Sequence, residues 1–339
     1  MHRKPLSLMF VIATMLVFFH SSVFGSGGRG WTERSEGSPG VSGYRPPTPA
    51  TLLLSCDNAL VTVAQADDTG RQDPQPLSRD LRNRCLDMLR TGLQSEEFWP
   101  AMHAAEALTL AGMRNAVTPA LEDRVAEEKD DQHRCGLARE LARAGQTIHR
   151  QTLIQILGDL KSTGRTHAAE SLYKIGEIGD GKLLQAAMKQ SDVIPLQVMA
   201  AGALAKSGNA EAFSLLRKNL SSENSMARNL SAWILGRIGN ESDIEPLLAA
   251  LKNEKDEAAR AFLGVALACL GNESGREELG RQLSSENVTD RTMAAEFVGH
   301  SRSIEYREKL IQLLDDPALD VRIRSAQSLI VLWMPGTKQ

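Results

Sequence analysis

From about residue 78 onward, apolar and polar positions alternate with a helical rhythm, and the rhythm itself recurs. The phrases AAEALTLAG (104–112), HAAESLYKIG (167–176), LSAWILGRIG (230–239) and FLGVALACLG (262–271) share one small residue and a leucine three places later. The small column reads Ala105, Ala138, Ala169, Ala201, Ala232, Gly264, Ala295 and Ala326, at spacings of 31 to 33 residues. The next column reads Leu108, Leu141, Leu172, Leu204, Leu235, Leu267, Val298 and Leu329. A helix turns about 100° per residue, so these columns fall within about 60° of each other and make one apolar face. Seven places after the small residue stand Gly112, Gly145, Gly176, Gly208, Gly239 and Gly271, each able to adopt the left-handed turn that stops a helix. Arg302 and Trp333 replace them in the last two repeats. A second amphipathic stretch precedes each such helix, as in Ile244–Leu251 or Arg307–Leu314. One repeat is therefore a helical hairpin that cannot bury its apolar face alone, and stacking the hairpins supplies the core. This predicts an all-α fold over 78–335.

The residues before the repeats have another character. His2, Arg3 and Lys4 precede an uncharged run from Leu6 to Phe19, and Val23-Phe24-Gly25 fits a cut after Gly25. That is the three-part pattern of a signal peptide over 1–25, too short to span a bilayer. Residues 26–50 hold six Gly and four Pro, the composition of a linker that buries little apolar surface. Within this linker region, taken as 26–77, the apolar segment at 51–66 is expected to form a short helix on the first repeat. Ala64-Gln65-Ala66 is a second candidate cleavage site. The protein is expected to be exported, periplasmic or extracellular, with no direct membrane insertion after signal removal.

Composition changes this picture little. Aromatic residues make up 4% of the 339, which disfavours sandwiches and barrels. The 39 basic and 42 acidic residues leave a net charge of −3, with no global field for nucleic acid.

The last repeat reads Asp316-Pro317-Ala318-Leu319-Asp320-Val321-Arg322, then Ser325-Ala326. An arginine stands four places before the small column at Arg134, Arg165, Arg228, Arg260, Arg291 and Arg322. This pattern resembles the HEAT repeat, in its phycobilisome-lyase-like variety. The resemblance implies a right-handed α-solenoid of about eight HEAT-like hairpins, with second helices on the concave side, in an array on the order of 70 Å long.

Candidate chemistry sits on the second helices. The arginine column falls inside the packing face, and the acids Asp192, Glu223, Glu254, Glu286 and Asp316 precede it in most turns. A structural ladder of ion pairs and carbonyl contacts is expected there. Five places after the small residue stand Arg143, Lys174, Lys206 and Arg237, a basic stripe on the side turned away from the core, with Arg139 and Trp233 beside it. These six residues are the candidate docking site for an exported or membrane-anchored protein that is acidic on its docking surface. No phosphate loop, HExxH or Gly-x-Ser-x-Gly occurs, and the histidines are scattered, so no catalytic residue, metal or cofactor is assigned. Cys56 and Cys85 are a candidate disulfide, whereas Cys135 and Cys269 lie too far apart in the array to pair. Phe98 and Trp99 are expected to cap the open end of the core. The leading expectation is an exported, non-enzymatic protein-binding scaffold using its concave face. The alternatives are a bilin-lyase-like enzyme and an accessory module of a larger exported enzyme or transporter.

Overall fold

The computed structural model describes residues 75–333; the signal segment, the linker as far as residue 74, and Cys56 lie outside them. Sixteen α-helices pair into eight hairpins among the described residues. The first hairpin is α1 (Arg79–Leu93) with α2 (Phe98–Leu110), and the second is α3 (Arg114–Glu127) with α4 (Asp131–Arg143). Then come α5 (His149–Gly158) with α6 (Arg165–Ile175), and α7 (Lys182–Met188) with α8 (Ile194–Lys206). The fifth and sixth are α9 (Ala210–Asn219) with α10 (Ser225–Ile238), and α11 (Ile244–Asn253) with α12 (Glu257–Cys269). The last two are α13 (Glu273–Gln282) with α14 (Val288–Ser301), and α15 (Arg307–Leu313) with α16 (Leu319–Trp333).

Local chemistry sets the ends of these helices. Asp130, Asn224, Asp256 and Asn287 accept from backbone N–H groups in the first turn of α4, α10, α12 and α14. Asn209 and Asn272 do the same for α9 and α13, and Asn240 caps the short 3-10 turn before α11. The arginine column forms its ladder. Arg228 donates to the carbonyls of Ser222 and Glu223 and reaches Glu254 of the next hairpin at 2.8 Å. Arg291 donates to the carbonyls of Ser285 and Glu286 and to both oxygens of Asp316. Arg260 and Arg322 likewise take carbonyls at the end of the preceding helix or in the loop, whereas Arg134 bonds the Asp131 carboxylate of its own helix.

The even-numbered helices pack side by side, and α16 packs on α2 and α1. The row of hairpins therefore closes into a ring, and the open array with two separated ends is corrected. The cause lies in the terminal helices. In α16, Val321, Ile323, Ala326, Leu329, Ile330 and Trp333 are all buried, so it is apolar toward both neighbours. One core cluster holds Leu89, Leu93, Ala104 and Leu108 of the first hairpin together with Ile323, Leu329 and Trp333 of the last. Gly92 admits Ile323 so closely that a Cβ there would lie 2.8 Å from its Cδ1. Leu77 N–H donates to the Trp333 carbonyl at 3.3 Å, which brings both ends of the described chain together.

Candidate functional site

Closure turns the face that an open array would expose into the lining of a central cavity. Its wall takes residues from all eight even helices, and its volume is about 130 Å3. The lining follows the repeat. Two places before each small residue stand His103, Gly136, His167, Met199, Leu230, Phe262, Met293 and Arg324, and all but the glycine line the cavity. The cavity has two unlike walls. Met199, Leu230, Trp233, Phe262 and Met293, on α8 to α14, form the apolar one, which Thr289, Thr292 and Glu296 of α14 border. On α2, α4, α6 and α16, His103, Arg139, Glu170, Lys174, Asp320 and Arg324 form the charged one.

Beside the cavity lies an ion-pair network that joins the two ends of the ring. Arg324 donates to Glu106 at 2.9 Å and faces Glu296 at 3.4 Å. Arg143 meets Glu140 at 2.7 Å and Glu106 at 3.1 Å. Arg237 meets Glu296 at 2.5 Å, with its guanidinium 3.9 Å from the Trp233 ring centroid. Burial would raise the Glu170 carboxyl, but Lys174 first, then His167 and Arg139, hold it down at about 2. Burial likewise opposes ionisation of Glu106, and Arg143 and Arg324 drive it well below the ordinary range. Glu296 is treated in the same way by Arg324 and Arg237. Burial lowers His167 to about 3, against the opposing pull of Glu170, so this imidazole is neutral. His103 Nδ1 bonds Asp320 Oδ1 at 2.7 Å across the seam between α2 and α16.

The expected docking stripe lies on the concave side, but its residues are buried or half-buried and paired, and the exposed position expected for them is corrected. Arg139 is 2% exposed and bonds Glu140 at 2.6 Å. Arg143, Lys174 and Arg237 pair with carboxylates, Lys174 with Glu170 at 2.8 Å. Lys206 donates to the carbonyl of Tyr173 at 3.2 Å, and Trp233 is half-buried against Tyr173 and Arg237. The structure brings Arg139, Lys174 and Trp233 to the cavity wall, with Arg143 and Arg237 in the adjoining network. Trp99 caps no open end. It stacks on His167 with ring centroids 5.1 Å apart and lines the cavity, while Phe98 stacks on His133 at 3.9 Å. Sequence reasoning missed the partners Glu106, Glu140, Glu296, Asp320 and Arg324. The column of His103, His167 and Arg324 would have signalled them once the ends were known to meet.

Among the described residues, no group of three His, Cys, Asp or Glu side chains is arranged to hold a metal ion. Burial pushes the thiols of Cys85 and Cys269 up to about 12, and that of Cys135 higher still.

Comparison with known proteins rests on the repeats. A family model for HEAT repeats matches residues 182–268 and 244–330. No curated protein matches the chain significantly. Among solved structures, human deoxyhypusine hydroxylase in complex with glycerol is 18% identical over 74% of this chain and 97% of its own, at a TM-score of 0.38. Two engineered proteins are 20% and 18% identical, covering 72% and 76% of this chain and 77% and 100% of their own, at TM-scores of 0.28 and 0.26. Residues 182–330 are HEAT repeats, and three hairpins of the same register precede them.

Proposed function

We propose that the protein is an exported, non-enzymatic binding protein whose HEAT ring holds a small molecule in its central cavity. The observation that carries this reading is the cavity itself, with one apolar and one charged wall. Pockets that bind small molecules combine apolar surface with a few placed polar groups in this way. A dry cavity of about 150 Å3 accommodates benzene, so about 130 Å3 suits one ring or a short branched chain. Four linked pyrrole rings exceed that size, which weighs against a bilin as ligand. A protein partner, if one docks, would meet the outer helices rather than the inward stripe.

Binding is favoured over catalysis because the thiols are held protonated and Glu106, Glu170 and Glu296 are held ionised by their partners. A general acid or base works best with a pKa near the operating pH. One observation favours a second reading: the His103–Asp320 pair in the cavity wall has the form of an oriented general base. Because Trp99 and Trp233 line the cavity, a panel of ring-sized molecules can be screened by tryptophan fluorescence and thermal shift. Met199→Trp, which fills the apolar wall, should remove the response. A response that survives Met199→Trp would place the ligand elsewhere and overturn the reading. Turnover of a bound compound that His103→Gln abolishes would establish the second one.

A further inference from the structure

Resting on the cavity reading, we infer that the ligand carries a carboxylate on a compact apolar body, and that Arg139 receives the carboxylate. Arg139 is among the largest fully buried side chains of the protein, and it forms part of the cavity wall. Its Nε donates to Glu140 Oε1 at 2.6 Å. Its two terminal nitrogens donate no hydrogen bond to any described residue, and neither ranks among the fully enclosed, unpartnered polar atoms. A buried guanidinium that keeps its outer edge open toward a cavity is an unfilled donor fork. Leaving such donors unpaired is costly, so the fork favours a ligand that can accept from both nitrogens. The two oxygens of a carboxylate match that planar edge.

The surrounding charges allow an anion there. Glu140, Glu170 and Glu106 are the carboxylates that act on Arg139. Lys174 stands against Glu170, Arg143 against Glu140, and Arg143 and Arg324 against Glu106. With Arg237, Glu296 and Asp320 included, the cluster has five cations and five carboxylates, and no excess negative charge opposes an incoming anion. Opposite Arg139, the wall of Met199, Leu230, Phe262 and Met293 specifies the other half of the molecule as apolar. At about 130 Å3 this describes a benzoate-sized monocarboxylate.

The test is calorimetric titration of the full chain with benzoate, benzamide and benzylamine, three probes of one shape that differ in the head group. Benzoate is expected to bind about 10- to 100-fold tighter than either of the others, the range of a charge-assisted hydrogen bond to a buried group. Arg139→Lys keeps the charge but loses the fork, and should reduce that preference about tenfold. If the lysine variant does not fold, Arg139→Gln combined with Glu140→Gln removes the buried pair together and should leave the three probes equal. Benzamide or benzylamine binding as well as benzoate would overturn the carboxylate assignment while leaving the cavity reading intact. So would a benzoate preference that survives the double variant, or a failure of all three probes to bind. Benzoate binding unaffected by Met199→Trp would instead overturn the cavity reading on which the inference stands.

Discussion

The glycine column shows how far a single position can be read. Gly112, Gly145, Gly176, Gly208 and Gly271 all have positive φ, as a left-handed stop requires. Arg302 occupies the same register and is the one non-glycine residue with positive φ among the described residues, at 54°. Gly239 departs from the column with φ −74° and ψ −174°, because its N–H still bonds the Leu235 carbonyl and Asn240 and Asp243 then form a reciprocal cap. The two exceptions predict opposite outcomes. Arg302→Gly relieves left-handed strain and should raise unfolding stability by up to about 1 kcal/mol. Gly239→Ala drives a Cβ into the Leu235 carbonyl oxygen and should cost about 2 kcal/mol or more, although φ itself is permissive. Paired denaturant titrations check both. A neutral Gly239→Ala would show that this turn relaxes freely.

His167 makes the residue scale depend on pH. Its folded pKa of about 3 lies below the ordinary value of 6.5, so between them the unfolded chain binds a proton that the folded chain refuses. Stability should therefore fall as pH drops below about 6.5, by roughly 2 kcal/mol at pH 5 from this residue alone. Glu170, depressed to about 2, adds a further loss only below about 4.5. His167→Phe keeps an aromatic ring against Trp99 and should flatten the limb between pH 6.5 and 5 in melting curves followed by circular dichroism. An unchanged slope would assign that limb to other groups.

At the scale of elements, the arginine ladder and the seam separate interactions that look alike on a contact map. Arg260 donates to the neutral carbonyls of Leu251 and Glu254, whereas Arg291 also holds the buried carboxylate of Asp316. Removing Arg260 with alanine should cost about 1 kcal/mol, and Arg291→Ala about 2 to 3 kcal/mol, because Asp316 is left unpaired. Two ion pairs cross the seam under different conditions. Arg84 and Asp315 are exposed, and Arg84→Ala should change stability by no more than about 0.5 kcal/mol. Arg324 is buried between Glu106 and Glu296, and Arg324→Met should cost about 2 to 3 kcal/mol, because it removes one of two cationic partners from each carboxylate and leaves Glu106 with Arg143 and Glu296 with Arg237. Equal losses for the two seam variants would contradict the closed ring. The ladder was legible in the sequence because its partners are local loops. The seam was not, because Glu106 and Arg324 are brought together only by the long-range return of the chain.

The same contrast governs the whole molecule. Helical periodicity identifies the hairpins, and it also identifies which face of each even helix turns away from the packing stripe. What that face meets depends on the curvature accumulated over eight hairpins, a quantity that no single repeat encodes. The terminal helices did carry a signal. An open solenoid needs a polar outer face on its last repeat, and α16 is instead buried toward both neighbours, with Ile323, Leu329, Ile330 and Trp333 enclosed. The stripe from Arg143 to Arg237, which would be solvated in an open row, becomes internal for the same reason. Its charges meet partners on their own or neighbouring helices, Arg143 with Glu140 and Glu106, Lys174 with Glu170 and Lys206 with the Tyr173 carbonyl, while Arg237 reaches past α12 to Glu296 of α14.

Closure leads to a prediction that no open array of these hairpins shares. The Leu77–Trp333 hydrogen bond places the two ends of the described chain within bonding distance, and a row of eight hairpins would hold them on the order of 70 Å apart. Adjacent surface ends are the condition under which a chain tolerates circular permutation. A permutant that joins residue 333 to residue 77 by a short Gly/Ser linker and opens the chain between Leu160 and Lys161 cuts the connection within the third hairpin but keeps every helix intact. Both of those residues are exposed in the loop between α5 and α6, so the cut disturbs little of the core. The permuted protein should show the same helical spectrum and melt within a few degrees of the parent. It should also elute as a monomer, because the linker closes inside one chain. An open array forced through the same linker would either distort or pair with a second molecule, and the permutant would then elute as a dimer or aggregate. A dimeric or misfolded permutant, beside a well-folded parent, would show that α2 and α16 do not pack together in solution.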